Sequence, residues 1–330
     1  MTYFTVTIDT EEDNWGELNR PSYTVENLTR IPRLQELFQR RGVRATYLIS
    51  YPVATSRDGI EILGALQRDG LCEIGTHPHP WNTPPLKEER TQVNSYICNL
   101  PPALQFEKIK FLTDTITANF GRRPTSYRSG RWGFNDDVAK NLIRLGYAVD
   151  TTIFPAWDWS PDGPDYSAQS LVPYRYRASA ADSNSLLEVP PTAGFLQGSG
   201  AILSSTFHGI SSLPLGDKVL AGLRRMGLLT RVCLSPEIEA APAMIELATR
   251  VIDRGARVVN MFFHSPSLLE ARTPFVRTSA ELDVFIARID AFLVYAQRAG
   301  LRSVTMSELT AERVGAQKTR ELSSQNGVAA

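Results

Sequence analysis

The chemistry in this chain concentrates first at Thr76-His77-Pro78-His79-Pro80-Trp81, which holds two of its four histidines directly after an apolar stretch ending in Ile74. Each histidine precedes a proline, a position that drives the backbone out of the helical region toward extended geometry. On an extended chain residues i and i+2 point to one side. His77 and His79 can then close on a single ion at the roughly 2.0–2.1 Å typical of imidazole nitrogen, whereas a polyproline II path would splay them. A second polar cluster is their natural partner, because the β-rich run Tyr3-Phe4-Thr5-Val6-Thr7-Ile8 ends in Asp9-Thr10-Glu11-Glu12-Asp13. Carboxylates crowded at one strand end repel one another unless a cation or an arginine offsets them. Glu12 and Asp13 also have a plainer use, as a solvated turn or a helix N-cap.

Groups so far apart in sequence meet only if the fold brings strand ends to one edge. Strand-like and helix-like patterns alternate along the chain. After the first strand, 28–40 is amphipathic, with Leu34, Leu37 and Phe38 on one face and Gly42 closing it. Further strands are expected at 43–49, 72–74, 125–127, 147–149, 257–263 and 302–304. Helices are expected at 60–67, 106–120, 136–145, 238–253, 280–299 and 306–312. The Pro-, Gly- and Ser-rich region 155–230 reads as long loops with short extra strands. Residues 1–313 read as the folded domain and 314–330 as a polar, flexible tail. Repeated β–α units imply a parallel sheet or barrel, whose carboxyl edge is where such folds place active sites. In this register each strand end carries reactive groups: Asp9 to Asp13, then His77 and His79, then Tyr127-Arg128-Ser129-Gly130-Arg131-Trp132-Gly133, then Asp150, and His264 after Val258-Val259-Asn260-Met261-Phe262-Phe263.

Composition narrows the function classes. The chain has 330 residues, a size that α/β barrels reach as single units. Its 35 basic and 35 acidic residues cancel, so no nucleic-acid footprint is expected. No apolar stretch approaches the roughly 20 residues that span a bilayer. The start of the chain lacks a basic and apolar leader pattern, and three scattered cysteines, Cys72, Cys98 and Cys233, suit a reducing compartment. A cytoplasmic location is the expectation, with the oligomeric state left open.

From Thr5 to about Thr310 these motifs, in this order, resemble the polysaccharide deacetylases, also called NodB-type proteins or carbohydrate esterase family 4. The resemblance implies an α/β fold, a distorted (β/α)7 barrel. It also implies a metal-dependent hydrolase that removes an N-acetyl or related acyl group from a sugar or polysaccharide precursor. Thr7-Ile8-Asp9-Thr10-Glu11 is similar to the acidic motif that holds the catalytic base and one metal ligand. His77 and His79 match the two histidine ligands, Arg128 the arginine that orients the base, and Trp132-Gly133 the aromatic-glycine end of that motif. His264 in Phe263-His264-Ser265-Pro266-Ser267-Leu268 matches the general acid. Three positions depart from the usual pattern. Asp9-Thr10-Glu11-Glu12 replaces an adjacent aspartate pair, so the acidic ligand is Glu11, Glu12 or Asp13, with Glu11 preferred because it shares a side with Asp9 on extended chain. The histidine spacing is two instead of four, which puts Trp81 where the second ligand usually falls. The arginine motif reads Arg-Ser-Gly-Arg-Trp-Gly instead of a proline pair. Such variants resemble a branch associated with lipopolysaccharide and exopolysaccharide biosynthesis.

The chemistry implied is amide hydrolysis assisted by a divalent metal, zinc by ligand type, which lowers the pKa of water toward about 7. Asp9 would take the water's proton while Arg128 keeps it ionised, and His264 would protonate the departing amine. A backbone N–H near Trp132 would join the metal in stabilising the oxyanion. Asp150 or Asp158 would set the tautomer of His264, and His208 is expected to be structural. Trp15, Trp81, Trp132, Trp157 and Trp159 all fall in the strand-end loops, where flat rings can stack on a carbohydrate or close the core. An enzyme in the cytoplasm would meet a nucleotide- or lipid-linked precursor rather than a finished polymer. Two other readings fit the same residues: a deformylase or amidase on a non-acetyl or non-sugar amide, and a carbohydrate-binding protein without catalysis.

Overall fold

A computed structural model of the chain describes residues 1–13, 15–20, 22–177, 184–198 and 201–322. Its strands are β1 (Tyr3–Thr10), β2 (Ala45–Ile49), β3 (Cys72–Thr76), β4 (Ser126–Tyr127), β5 (Val149–Asp150), β6 (Tyr174–Arg177), β7 (Ser185–Glu188), β8 (Ala193–Phe195), β9 (Arg231–Cys233), β10 (Val258–His264), β11 (Arg302–Ser303) and β12 (Thr319–Glu321). β10, β1, β2, β3, β4, β5 and β7 lie side by side in that order, and each neighbouring pair is parallel. Between β7 and β10 the ring is bridged by single hydrogen bonds, Thr192 N–H to Asn260 O (3.0 Å) and Phe262 N–H to Leu234 O (3.1 Å). This is the expected distorted (β/α)7 barrel, and the break in its ladder is the distortion.

β1 and β2 are buried on both faces, the environment that produces apolar runs rather than alternation in parallel sheets. Helices wrap the outside. In Ile31–Arg40 the side chains Ile31, Leu34, Leu37 and Phe38 turn inward, and a proline at the first turn starts the helix where its missing N–H costs nothing. Ser279–Arg298 buries Phe285, Ile289, Phe292 and Leu293 against the same core. No helix among the described residues is long and apolar enough to cross a membrane.

The register aligns the strand ends. Asp9 pairs with His264 across β1 and β10. Thr10, Ile49, Thr76 and Tyr127 form one row across β1 to β4, so His77 and Arg128 leave their strands at neighbouring points of the rim.

Two expectations need correction. The region 155–230 is not only loops and short strands, because it contains helices Ala201–Ser211 and Gly216–Arg225. Residues 314–322 are not a free tail: Ala311–Val314 is helical, β12 adds in parallel to β6, and Leu322 is buried. Strand addition supplies backbone partners that composition cannot reveal. The remainder of the expected tail, 323–330, lies outside the described residues.

Candidate active site

His77 and His79 do converge. The extended backbone after β3, where His77 N–H still bonds Ile49 O (3.0 Å), brings their rings to 4.7 Å between centroids. Both are buried. His77 Nδ1 donates to Arg128 O (3.0 Å), which leaves Nε2 as the lone-pair nitrogen, 3.5 Å from Glu11 Oε2. His79 Nε2 meets the same oxygen at 2.6 Å. Glu11, His77 and His79 each offer one donor atom, and these lie within 4.8 Å of one another. Burial alone would raise the Glu11 carboxyl, but the close imidazoles of His77 and His79 outweigh it and hold it well below the usual carboxylate range. Two imidazoles and an ionised carboxylate are a donor set that suits a first-row divalent ion. The buried Glu11 Oε1 and His79 Nδ1 lack hydrogen-bond partners among the described residues. Trp81 backs the His79 ring at 4.2 Å, so at the wider histidine spacing this chain has a wall and not a ligand.

Gly130 makes the approach of His79 feasible. A Cβ there would lie 2.5 Å from His79 Nδ1 and 2.8 Å from Pro78 O. The next two residues, Arg131 (φ 54°) and Trp132 (φ 62°), are both left-handed without being glycine, a strained turn of the kind that clusters at functional sites.

Beside the trio lies a buried ion pair. Arg128, fully enclosed, donates Nη1 to Asp9 Oδ1 (2.6 Å), Nη2 to Thr7 Oγ1 (2.7 Å) and Nε to Thr151 O (3.0 Å). Asp9 Oδ2 then faces His264 Nε2 at 3.7 Å. His264 is held from behind by Glu237, which accepts from its Nδ1 (2.9 Å) and its backbone N–H (3.1 Å) and is itself bonded by Ser267 Oγ. Trp15 and Phe275 flank the ring. Burial by itself would lower the pKa of His264; the Glu237 carboxylate, with Glu11 and Asp9, overrides this and raises it to about 10.

Glu237 is the residue that sequence reading missed. It follows Val232-Cys233-Leu234, a short apolar strand end, so the rule applied to the other clusters could have found it. Neither residue expected in its place reaches His264. Asp150 is buried against Thr152 (2.6 Å) and Glu188, with burial pushing both carboxyls up, and Asp158 caps a turn at Ser160 N–H (2.8 Å). The remaining acids of the first cluster divide cleanly. Asp13 accepts from Asn27 N–H (2.9 Å) and from Glu26 N–H, capping the short turn Glu26–Arg30. Glu12 is buried between Ser50 (3.1 Å) and Asn82 (2.7 Å), and burial raises its pKa. Trp132 N–H bonds Ser129 O (3.2 Å), and its indole stacks on Phe154. His208 sits in the helix Ala201–Ser211, apart from these groups.

One cavity of about 390 Å³ is lined by Asp9, Glu11, His77, His79, Glu237 and His264, with Arg128 enclosed behind Asp9. All five tryptophans line it as well. Trp132, Phe154 and Trp157 form a stack with centroid spacings of 4.6 and 4.4 Å, a flat apolar wall whose Trp132 end lies against the Arg128 guanidinium (5.1 Å).

No family model matches the sequence, and no curated protein does. Solved structures do match. A Mycobacterium smegmatis protein classed with the polysaccharide deacetylases is 18% identical, with a TM-score of 0.52 over 99% of this chain and 96% of that one. A Parabacteroides distasonis protein classed as a glycoside hydrolase/deacetylase is 14% identical, with a TM-score of 0.61 over 93% of this chain and 70% of that one. The 4-alpha-glucanotransferase of Thermococcus litoralis is 11% identical, with a TM-score of 0.57; the chain is covered over 98% of its length and spans 42% of that enzyme. At these identities the likeness establishes a shared fold.

Proposed function

We propose that this chain is a NodB-type, metal-dependent deacetylase that hydrolyses an N-acyl group from a sugar. The carrying observation is the convergence of Glu11, His77 and His79 with the Asp9–Arg128 pair and the His264–Glu237 pair in one tryptophan-lined cavity. A divalent ion held by Glu11, His77 and His79, zinc by its ligand types, supplies Lewis-acid activation of water and of an amide carbonyl when bound. Asp9 accepts the proton of the attacking water at Oδ2, the oxygen that Arg128 leaves free. Arg128 fixes the carboxylate and keeps it ionised. His264, whose Nδ1 is committed to Glu237, donates from Nε2 to the departing amine. The stacked indoles give the sugar faces to lie on.

The test is a panel of N-acetylated and N-formylated sugars and non-sugar amides, with released acid measured after zinc loading. Release from the acetylated sugars supports the reading, preferential release of formate moves it to a deformylase, and release from none of them overturns it.

Two further outcomes follow from the geometry. Gly130→Ala should weaken binding of a divalent ion by about 10–100-fold, the range seen when groups that orient a ligand are disturbed, because the new methyl displaces His79. Chelator competition on a variant with an unchanged circular dichroism spectrum checks this. Glu237→Gln should move the alkaline limb of the rate profile down by about one to two pH units. In the native site His264 stays protonated until about pH 10. The stability it lends is complete below the ordinary value near 6.5 and is lost as pH rises through the folded value. A limb that stays in place in Glu237→Gln would show that Glu237 does not set the protonation of His264.

A further inference from the structure

The helices Ala201–Ser211 and Gly216–Arg225 form a hairpin between β8 and β9. Six of the fourteen large apolar side chains exposed among the described residues fall in this short stretch: Ile202, Leu213, Leu215, Val219, Met226 and Leu228. Val219 lies on the second helix, and Leu215 and Met226 flank its two ends. Leu220 turns the other way, into a cluster with Phe195 and Leu229 that Trp157 and Phe207 complete. The hairpin thus exposes apolar side chains, from Val219 and from the segments flanking the second helix, that its own core leaves uncovered. Charge separates this surface from the rest of the molecule. Residues 201–229 contain Lys218, Arg224 and Arg225 against Asp217 alone, whereas the whole chain is formally neutral. Arg224 is bound to Glu239 (2.7 Å), and no ion pair of Lys218 or Arg225 occurs among the described residues.

The hairpin is also tied to the wall of the cavity. Trp157 belongs both to the hairpin's core and to the cavity wall, and Ile238, half exposed, lies between Glu237 and the Glu239 that holds Arg224.

We infer that this hairpin docks on an anionic phospholipid surface and that the sugar presented to the cavity is carried on a lipid, the second part resting on the hydrolase reading above. Leu215, Val219 and Met226 enter the apolar boundary while Lys218 and Arg225 meet the headgroups, the arrangement of an interfacial amphipathic helix. A second copy is a poorer occupant, since a twofold contact sets the same patch against itself and would bring these basic side chains together.

The experiment uses the full chain with vesicles of phosphatidylcholine alone or mixed equally with phosphatidylglycerol. Sedimentation with the mixed vesicles should be about tenfold or more stronger than with phosphatidylcholine, given two or three basic side chains at the surface, and high salt should release the protein. The variant Leu215→Glu, Val219→Glu, Met226→Glu should stay in the supernatant. It should hydrolyse a soluble N-acetylated hexosamine as the parent does, yet act several-fold more slowly on the same sugar joined to a long-chain lipid in the mixed vesicles. No sedimentation of the parent, undiminished sedimentation of the variant, or a dimer that the variant dissolves would each overturn the docking. Equal loss on both substrates would overturn the lipid-carried assignment. Vesicle binding without hydrolysis of either sugar would keep the docking and remove the hydrolase reading.

Discussion

Asp9→Asn is expected to keep its divalent ion and lose about 10²–10⁴ of the hydrolytic rate, the usual contribution of a general base. The amide oxygen can still accept from Arg128 Nη1, which now bonds Asp9 Oδ1 at 2.6 Å. The other atom becomes an NH₂ facing His264, 3.7 Å from the present carboxylate oxygen, and it cannot take a proton. Asp9 is 4.0 Å from His77 Nδ1, the nitrogen turned away from Glu11, so it lies behind the donor trio and not within it. Removing one charge of a buried pair typically costs about 3–5 kcal/mol; retention of the hydrogen bond makes asparagine the milder replacement and alanine the harsher one. Metal content and turnover on the same preparation decide the matter. Loss of the metal would make Asp9 a ligand, and an unchanged rate would move the base elsewhere.

The second large effect is on metal retention. His77→Ala is expected to abolish stoichiometric binding, a loss of more than about 100-fold in affinity, because removal of a ligand should exceed the 10–100-fold typical of its supports. His79→Ala should bind more weakly than the parent but better than His77→Ala. The difference has a structural cause: His77 is held in one tautomer by the Arg128 carbonyl, whereas His79 Nδ1 has no partner among the described residues and leans on Trp81. Elemental analysis with chelator competition measures both. Full stoichiometry in His77→Ala would remove the trio as the metal site.

The alternation of elements was readable because apolar spacing separates an amphipathic helix such as 31–40 from strands buried on both faces. The choice of Glu11 over its neighbours came from the two-residue repeat of extended chain, and the structure groups Glu11 with the histidines while Asp13 caps a turn. What could not be read depends on distant partners. β12 exists because β6 offers it an edge. The hairpin helices are punctuated by Gly209 and by Ser-Ser-Leu-Pro, which resemble loop composition. Glu237 follows a strand of only three residues paired with β8, too short to stand out as an element, so the strand-end rule that would have marked it was never applied there.

β1 sits between β2 and β10, and its bond to β10 joins residues more than 250 positions apart, sealed by Thr7 Oγ1 on Asn260 Oδ1 (3.1 Å) and by Asn260 Nδ2 on Thr151 Oγ1 (2.9 Å). During synthesis the strand that bears Asp9 and Glu11 must therefore wait, one edge unpaired, until nearly the entire barrel has been made. Such non-local closure slows folding, and an unpaired apolar edge is a template for association with other chains. Nascent chains that end before β10 should thus be the species most in need of chaperones, and the side chains grouped around Asp9 should acquire their arrangement in the last step of barrel closure.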